Sequence, residues 1–363
     1  MLMRNLGHRP PSRSELEQCL SLERDDERDA RRPRHFELPV AVLCRQPLIS
    51  YSGIVPDAAL GVASLLPPSA DGPDRWFLLS PTWSLEKPDI TRTLRARAVL
   101  HRLRRPNDRL IFMCNTPREL ELLRGLGEAA FLSVKTCAVS EQIFRPLPGL
   151  PKVYSAIYNA QLVDWKRHYL SRDVDRCAFI FYRGSYGGSS AEDERGLIKR
   201  RLEHAPDHRF LNDFDADGVP IRMPPDEVNL HLNSAHVGLC LSEIEGAMYA
   251  SVEYMLAGLA VASTPSTGGR DHFFDDDFCL MVDADAGAVW RGVQELMSRR
   301  LDPQEIHGRT LDKLRAERAR FTQLLNDLCS ESGSRERFSN SDLFGHGVLL
   351  KWMPHDEAAR QAV

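Results

Sequence analysis

The sequence predicts an α/β protein of two domains with parallel sheets. The chain has 363 residues, more than one hydrophobic core usually serves. Hydrophobic residues make up 42% and charged residues 27%, which is typical of a folded globular protein. Short apolar runs of strand length alternate with helix-like segments along most of the chain, the pattern of a doubly wound sheet. The net charge of −4 gives no overall indication of nucleic-acid binding.

The cysteines and the chain start argue against several classes of protein. The eight cysteines are scattered without a Cys-x-x-Cys pair, which disfavours a zinc site or a redox dithiol. Residues 1–11 lack the apolar core of a signal peptide, and no apolar run is long enough to span a bilayer. We therefore expect a cytoplasmic protein.

The first domain is predicted over residues 37–148, after a charged, poorly ordered arm at residues 1–36. Its predicted elements are strands at 40–43, 48–55, 76–79 and 110–113 and a helix over 90–103. Three prolines and a glycine in 144–151 form a stiff connector without helix or strand, and they set the predicted domain boundary.

The second domain is predicted over residues 149–330, where strands and helices alternate more regularly. The predicted strands are 153–158, 179–182, 237–241, 259–263 and 279–282, and the predicted helices are 193–202, 225–232, 249–257, 286–297 and 311–328. This order indicates a parallel sheet. The turn-rich tail, 331–363, has no role that its sequence reveals.

The most informative stretch follows the predicted strand 237–241. Glu245 lies at the turn after this strand, Gly246 is next to it, and Glu253 lies about two helical turns further on. In open α/β sheets ligands bind beyond the carboxyl ends of strands, and ionised carboxylates accept hydrogen bonds from sugar or ribose hydroxyls. About seven acidic pairs with this spacing are expected by chance, so the surrounding residues must supply the specificity.

Those residues resemble the Glu-x7-Glu signature of retaining GT-B glycosyltransferases of family 4 (group 1). Glu245-Gly246, Glu253 and the turn 257–261 follow the family pattern, although Ala260 stands where proline is usual. Less specific likenesses occur at 113–120 and 138–146, so the resemblance extends over about residues 110–296.

A second likeness follows the predicted strand 153–158. The family has an arginine and a lysine five residues apart there, and both hold the donor diphosphate. Gln161 and Lys166 occupy these positions, so the arginine is missing. Arg167 and His168 are the candidates to replace its charge.

The resemblance implies a GT-B fold, with two Rossmann-like domains whose parallel sheets face each other across a cleft. It implies a nucleoside-diphosphate-sugar donor in the second domain, an unidentified acceptor in the first, and glycosyl transfer with retention of configuration. Glu253 would hold the ribose and Glu245 the sugar, while Lys166 with Arg167 would stabilise the leaving diphosphate. The remaining expected donor contacts are Asn159, Gln161, Gly246, Ala247 and Met248. No metal and no cofactor are expected.

Several alternatives stay open at this point. Both glutamates could be ordinary surface carboxylates. The basic run 92–109 could contact an anionic membrane surface or an anionic acceptor, but it is more often a solvated helix face. His101 in this run is a candidate catalytic histidine, Gly184–Gly188 a candidate phosphate loop, and Asp275–Asp277 a candidate metal site that is more simply a turn.

Two rival functions use the same donor site. A GT-B sugar-nucleotide epimerase or hydrolase would bind the donor without an acceptor. A non-catalytic nucleotide-sugar-binding module is favoured by Gln161 and by the weak family likeness of the first 105 residues.

Overall fold

The protein forms two compact units in a computed structural model. The structure describes residues 11–17, 19, 21, 40–54, 60–64, 66, 74–183, 190–345, 352, 353 and 357. Unit 1 comprises residues 1–138 with 317–363, and unit 2 comprises residues 139–316. This division falls before the predicted boundary at 148, and residues 317–330 group with unit 1 instead of the second domain. The arm at 1–36 lies mostly outside the described residues, and Gly184–Gly188 lies outside them entirely.

Unit 1 contains a mixed six-stranded sheet. Its strands are β1 (Val40–Arg45), β2 (Leu48–Ile54), β3 (Arg75–Pro81), β4 (Asp108–Cys114), β5 (Ala130–Leu132) and β12 (Trp352–Met353). The spatial order is β12-β1-β2-β3-β4-β5, and β2 to β5 are parallel. β1 runs antiparallel to both β2 and β12, whereas a parallel sheet was predicted. Only Gln46 and Pro47 join β1 to β2, and so short a connection permits only an antiparallel hairpin.

Two helices of unit 1 follow their sequence signals. Helix α1 (Pro88–Arg104) and helix α2 (Pro117–Gly125) both begin with proline, whose missing N–H costs nothing at the first helical position. Thr116 caps α2, because its Oγ1 accepts a hydrogen bond of 3.1 Å from the amide of Glu119. Buried apolar residues of β3 and β4, among them Phe77 and Phe112, form the core beneath these helices.

Unit 2 contains an entirely parallel six-stranded sheet. Its strands are β6 (Tyr154–Asn159), β7 (Cys177–Ile180), β8 (Arg209–Phe210), β9 (Ala235–Cys240), β10 (Ala260–Ser263) and β11 (Cys279–Met281). Their spatial order is β11-β10-β9-β6-β7-β8. The chain builds outward from β6 to β8 and then returns to the other side of β6 at β9. β6 and β9 therefore form the switch point at which such sheets bind ligands.

The helices of unit 2 alternate with its strands along the chain. They are α3 (Ala191–His204), α4 (Pro225–Asn233), α5 (Tyr249–Leu256) and α6 (Ala286–Ser298). The long helix α7 (Pro303–Glu331) begins in unit 2 and ends in unit 1, where α8 (Asn340–Phe344) follows it. All helices predicted in this part of the chain are present.

The end of α5 depends on one glycine. Gly258 has a φ of +80°, and a Cβ there would lie 2.6 Å from the Cβ of Pro303. Only glycine avoids both the strain and the clash. The chain can therefore leave α5 sharply and enter β10, which fixes the helix against the sheet edge.

Candidate functional site

A pocket of about 330 Å³ lies at the carboxyl edge of the unit 2 sheet, at the switch point. Its volume is within the range of small-molecule sites. The lining residues come from the ends of β6 and β7, the start of α4, and the connection from β9 into α5, with one residue of the connector. They are Phe144, Asn159, Ala160, Lys166, Ile180, Phe181, Tyr182, Arg222, Met223, Pro225, Val228, Glu245, Ala247, Met248, Tyr249, Ala250 and Glu253.

The lining combines two kinds of surface. Phe144, Ile180, Phe181, Met223 and Val228 give it apolar walls. The charged members are Lys166, Arg222, Glu245 and Glu253. Such a lining suits a ligand that joins an apolar planar group to hydroxyls and a charged group.

Glu253 and Asn159 meet inside this pocket. The Asn159 side-chain amide donates a hydrogen bond of 3.1 Å to Glu253 Oε2, and the Asn159 backbone amide donates to the Tyr254 hydroxyl at 2.6 Å. Burial raises the pKa of Glu253 to about 7, while the bond from Asn159 and the charge of Arg222 act in the opposite direction. When ionised, this carboxylate can accept hydrogen bonds from two adjacent ligand hydroxyls.

Lys166 and Glu245 also meet in the pocket, where their side chains form an ion pair. Only 13% and 9% of the two side chains are exposed, so the pair is largely shielded from water. Lys166 ends a short turn of 3₁₀-helix, and its carbonyl accepts a hydrogen bond of 2.6 Å from the Tyr158 hydroxyl. The structure thus brings together an ammonium and a carboxylate that are 79 positions apart.

The loop that carries Glu245 is held by its backbone. The Glu245 amide donates to the Thr267 carbonyl at 2.9 Å, and the Thr267 amide donates back to the Glu243 carbonyl at 3.0 Å. The Gly246 carbonyl accepts a further bond of 2.9 Å from the amide of Gly269. These bonds fix the Glu245 carboxylate at the pocket wall.

Arg270 stabilises the same loop, and this role was not predicted from the sequence. Its guanidinium is 2% exposed and donates to the carbonyls of Cys240 at 3.1 Å and Ser242 at 2.8 Å and to Ser263 Oγ at 2.8 Å. These acceptors lie at the carboxyl ends of β9 and β10, where the neighbouring strands no longer provide backbone hydrogen-bond partners. In the sequence, Arg270 beside Asp271 resembles an ordinary surface pair.

Arg167 lies outside the pocket lining, although it was expected to help stabilise the leaving diphosphate. Its guanidinium donates to the carbonyls of Leu241 at 2.6 Å, Ser242 at 3.1 Å and Pro265 at 3.0 Å, and it does not line the pocket. A guanidinium offers five donors, which suits several converging carbonyls. Arg167 therefore holds the strand-end loops together, as Arg270 does.

Three other expected residues do not line the pocket. The backbone carbonyl of Gln161 accepts a hydrogen bond of 2.8 Å from His168 Nε2. His168 is buried, and burial lowers its pKa to about 4, so it brings no positive charge at neutral pH. Gly246 lies beside the lining, whereas the neighbouring Ala247 and Met248 belong to it. Arg222, a further cation of the pocket lining, was not predicted from the sequence.

The basic run 92–109 is largely engaged within unit 1. Arg95, which is 1% exposed, contacts Glu15 at 2.6 Å and Glu128 at 2.5 Å. Arg102 contacts Glu128 at 2.6 Å. These buried ion pairs favour a structural role for the run over contact with a membrane surface. Among the described residues, no helix is both long and apolar enough to cross a bilayer.

His101 belongs to a second buried network of unit 1. Its Nε2 lies 2.7 Å from Asp108 Oδ2, while Arg75 contacts Asp108 Oδ1 at 2.6 Å. His101 is only 5% exposed. Its partners give it a structural role, which does not support the catalytic role considered above.

The acidic run 275–277 is neutralised by α7. Asp275 contacts Lys313 at 3.0 Å and Arg309 at 2.6 Å, and Arg309 also contacts Asp277 at 2.6 Å. These ion pairs indicate that residues 275–277 form a turn that is anchored to α7.

Comparison with known proteins establishes the fold. No protein-family profile matches the chain, and no curated protein matches it. A sucrose-phosphate synthase from Thermosynechococcus elongatus has a similar structure, with a TM-score of 0.51 and 14% identity over 70% of this chain and 68% of that one. A glycosyltransferase from Rickettsia africae gives 0.49 and 12%, covering 72% and 71%. An Anabaena protein in complex with UDP-glucose gives 0.42 and 11%, covering 67% and 72%. The chain has the mixed α/β architecture of GT-B proteins.

Proposed function

We propose that this protein is a glycosyltransferase that moves a sugar from a nucleoside-diphosphate sugar to an acceptor with retention of configuration. The observation that carries the proposal is the joint presence of Asn159, Lys166, Glu245 and Glu253 in one pocket at the switch point of the unit 2 sheet. A donor of this kind has a planar base, a ribose diol, a diphosphate and a polyhydroxylated sugar. The mixed lining provides a complementary surface for each of these parts.

Each pocket residue has a role in this proposal. Glu253, held by Asn159, accepts hydrogen bonds from the ribose hydroxyls, and Glu245 accepts them from the sugar. Lys166 offsets the charge that develops on the departing diphosphate. Ala247 and Met248 precede α5, so their amides and the helix N-terminus favour an anionic ligand there.

Lys166 and Glu245 neutralise each other before the donor binds. When the diphosphate arrives, Lys166 can turn to it and leave Glu245 to the sugar hydroxyls. Lys166 then contacts the departing diphosphate and Glu245 the transferred sugar. The phosphate itself can take up the acceptor proton, so no protein nucleophile is needed, and no metal is required to hold the donor.

Product analysis tests this proposal. The wild type is incubated with nucleotide sugars and candidate acceptors, and the products are separated and their anomeric configuration is determined by NMR. We expect a glycosylated acceptor with the configuration of the donor, and a kcat about 100-fold lower for Lys166→Ala. Products formed equally well without an acceptor, as free sugar or an epimer, would identify a hydrolase or epimerase instead.

A non-catalytic nucleotide-sugar-binding module is the second candidate. It is favoured by one observation, namely that neither Gln161 nor Arg167 brings a guanidinium to the pocket where the family has one. This alternative predicts donor binding without turnover with any acceptor. The same product analysis therefore separates the two.

A further inference from the structure

We infer that Arg222 is the second diphosphate-binding cation of this site and supplies the charge that the family takes from an arginine at the position of Gln161. This inference rests on the proposed function. Arg222 lies in the segment just before α4, whereas Gln161 and Lys166 lie in the turn after β6.

The charges of the pocket point to Arg222. Lys166 is already paired with Glu245, so its charge is compensated while the pocket is empty. Arg222 forms no ion pair or hydrogen bond with any residue that the structure describes. The charge of Arg222 lowers the pKa of Glu253 without a direct ion pair, so its N–H groups stay available, and a diphosphate offers them two or more negative charges.

Arg222 is also oriented for this role. Its Cζ lies 5.7 Å from the centroid of the Tyr182 ring, over the ring face. This contact uses none of the guanidinium N–H groups in a hydrogen bond, so they remain available to an oxyanion. The contact with Tyr182 already restricts the exposed Arg222 side chain, so this side chain loses less conformational entropy when a ligand binds.

The pocket is small enough for both cations to reach one ligand. Its volume of about 330 Å³ is at the lower end of the range for small-molecule sites. Arg222 and Lys166 both line this pocket, so a ligand that fills it can contact both side chains. Gln161 is outside the lining, so its side chain does not compete for this position.

The number of phosphates on the ligand provides the test. Uridine, UMP and UDP are titrated calorimetrically into the wild type, Arg222→Ala and Arg222→Lys, with guanosine, GMP and GDP as a second series. The control is Arg200→Ala, which removes an exposed arginine of α3 that does not line the pocket. Arg222 is exposed, so thermal unfolding should be unchanged in its variants.

We expect Arg222→Ala to weaken nucleoside-diphosphate binding about 10- to 100-fold, to weaken the monophosphate less, and to change nucleoside binding less than about twofold. Arg222→Lys should recover part of the loss, and Arg200→Ala should bind like the wild type. An equal loss for the nucleoside and its diphosphate, or no loss at all, would overturn the inference while leaving the proposed function intact. If neither series binds, the adenine and thymine series are titrated in the same way, and failure of the folded wild type to bind any nucleoside diphosphate would instead remove the proposed function on which the inference rests.

Discussion

Charged side chains cluster in both units, around Glu128 in unit 1 and around Glu253 in unit 2. In unit 1, the Glu128 carboxylate is 1% exposed and binds the guanidiniums of Arg95 and Arg102. Each charged side chain in that cluster is paired with an oppositely charged side chain of the protein. In unit 2, Glu253 lines a pocket and has a neutral partner, Asn159. Its raised pKa reflects a burial that no cation fully compensates.

This difference separates a structural cluster from a candidate binding site. A closed network of buried ion pairs satisfies its own members and leaves nothing for a ligand. A partly satisfied carboxyl group at a pocket wall costs stability in the empty protein, and that cost is offset only when a ligand binds.

Removing the acceptor shared by two buried guanidiniums should have the largest effect. For Glu128→Ala we expect the free energy of unfolding to fall by about 3–5 kcal/mol, because Arg95 and Arg102 would be left buried without their carboxylate. Urea unfolding followed by circular dichroism measures the change. The control is Glu121→Ala, which removes an exposed partner of Arg118 and should change stability by less than about 1 kcal/mol. Equal effects of the two substitutions would contradict the structural role of the cluster.

The Glu253→Gln variant should lose a pH dependence that the wild type shows. The pKa of Glu253 is raised from 4.5 to about 7, so between these values the folded wild type binds more protons than the unfolded chain. Its stability therefore falls as the pH rises through this window. Glutamine does not titrate, so the stability of the variant relative to the wild type should rise by about 2 kcal/mol between pH 5 and pH 7, and by only about 0.4 kcal/mol more above pH 7.

Urea unfolding of both proteins at several pH values measures that difference. The lowered pKa of His168 makes stability rise with pH between about 4 and 6.5, but it does so in both proteins and cancels. A difference that is constant with pH would show that Glu253 does not titrate in this range.

Within helix α1, two arginines should differ. Arg92 contacts Asp89 at the surface, where their side chains are 59% and 90% exposed, so Arg92→Ala should change stability by less than about 0.5 kcal/mol. Arg95→Ala in the same helix removes a guanidinium that is 1% exposed and should cost several times more. Unfolding curves of equal midpoint for the two variants would mean that burial does not distinguish these residues.

The fold was largely predictable because strands such as β3 and β9 are short apolar runs, and helices such as α2 begin at recognisable caps. Local pattern could not reveal β12, a two-residue strand that pairs with β1 across more than 300 positions. The antiparallel hairpin of β1 and β2 could have been inferred from the two residues between them.

The candidate site was predictable only in part. Glu245, Glu253, Lys166 and Asn159 follow family-like spacings, and the structure brings them into one pocket. Arg222 belongs to no such motif, and its place depends on how the fold brings the segment before α4 to the pocket that the ends of β6 and β7 also line. Its one sequence signal was its position, just before the prolines that open a helix.

The most direct test of the proposed donor site is calorimetric titration of the wild type, Glu253→Ala and Glu243→Ala with UDP, GDP, ADP and dTDP, without added metal. Glu243 is an exposed neighbour outside the pocket and serves as the matched control. We expect one diphosphate to bind the wild type and Glu243→Ala alike, and to bind Glu253→Ala at least about tenfold more weakly. Absence of binding to the folded wild type, or equal binding by all three proteins, would contradict the proposed donor site.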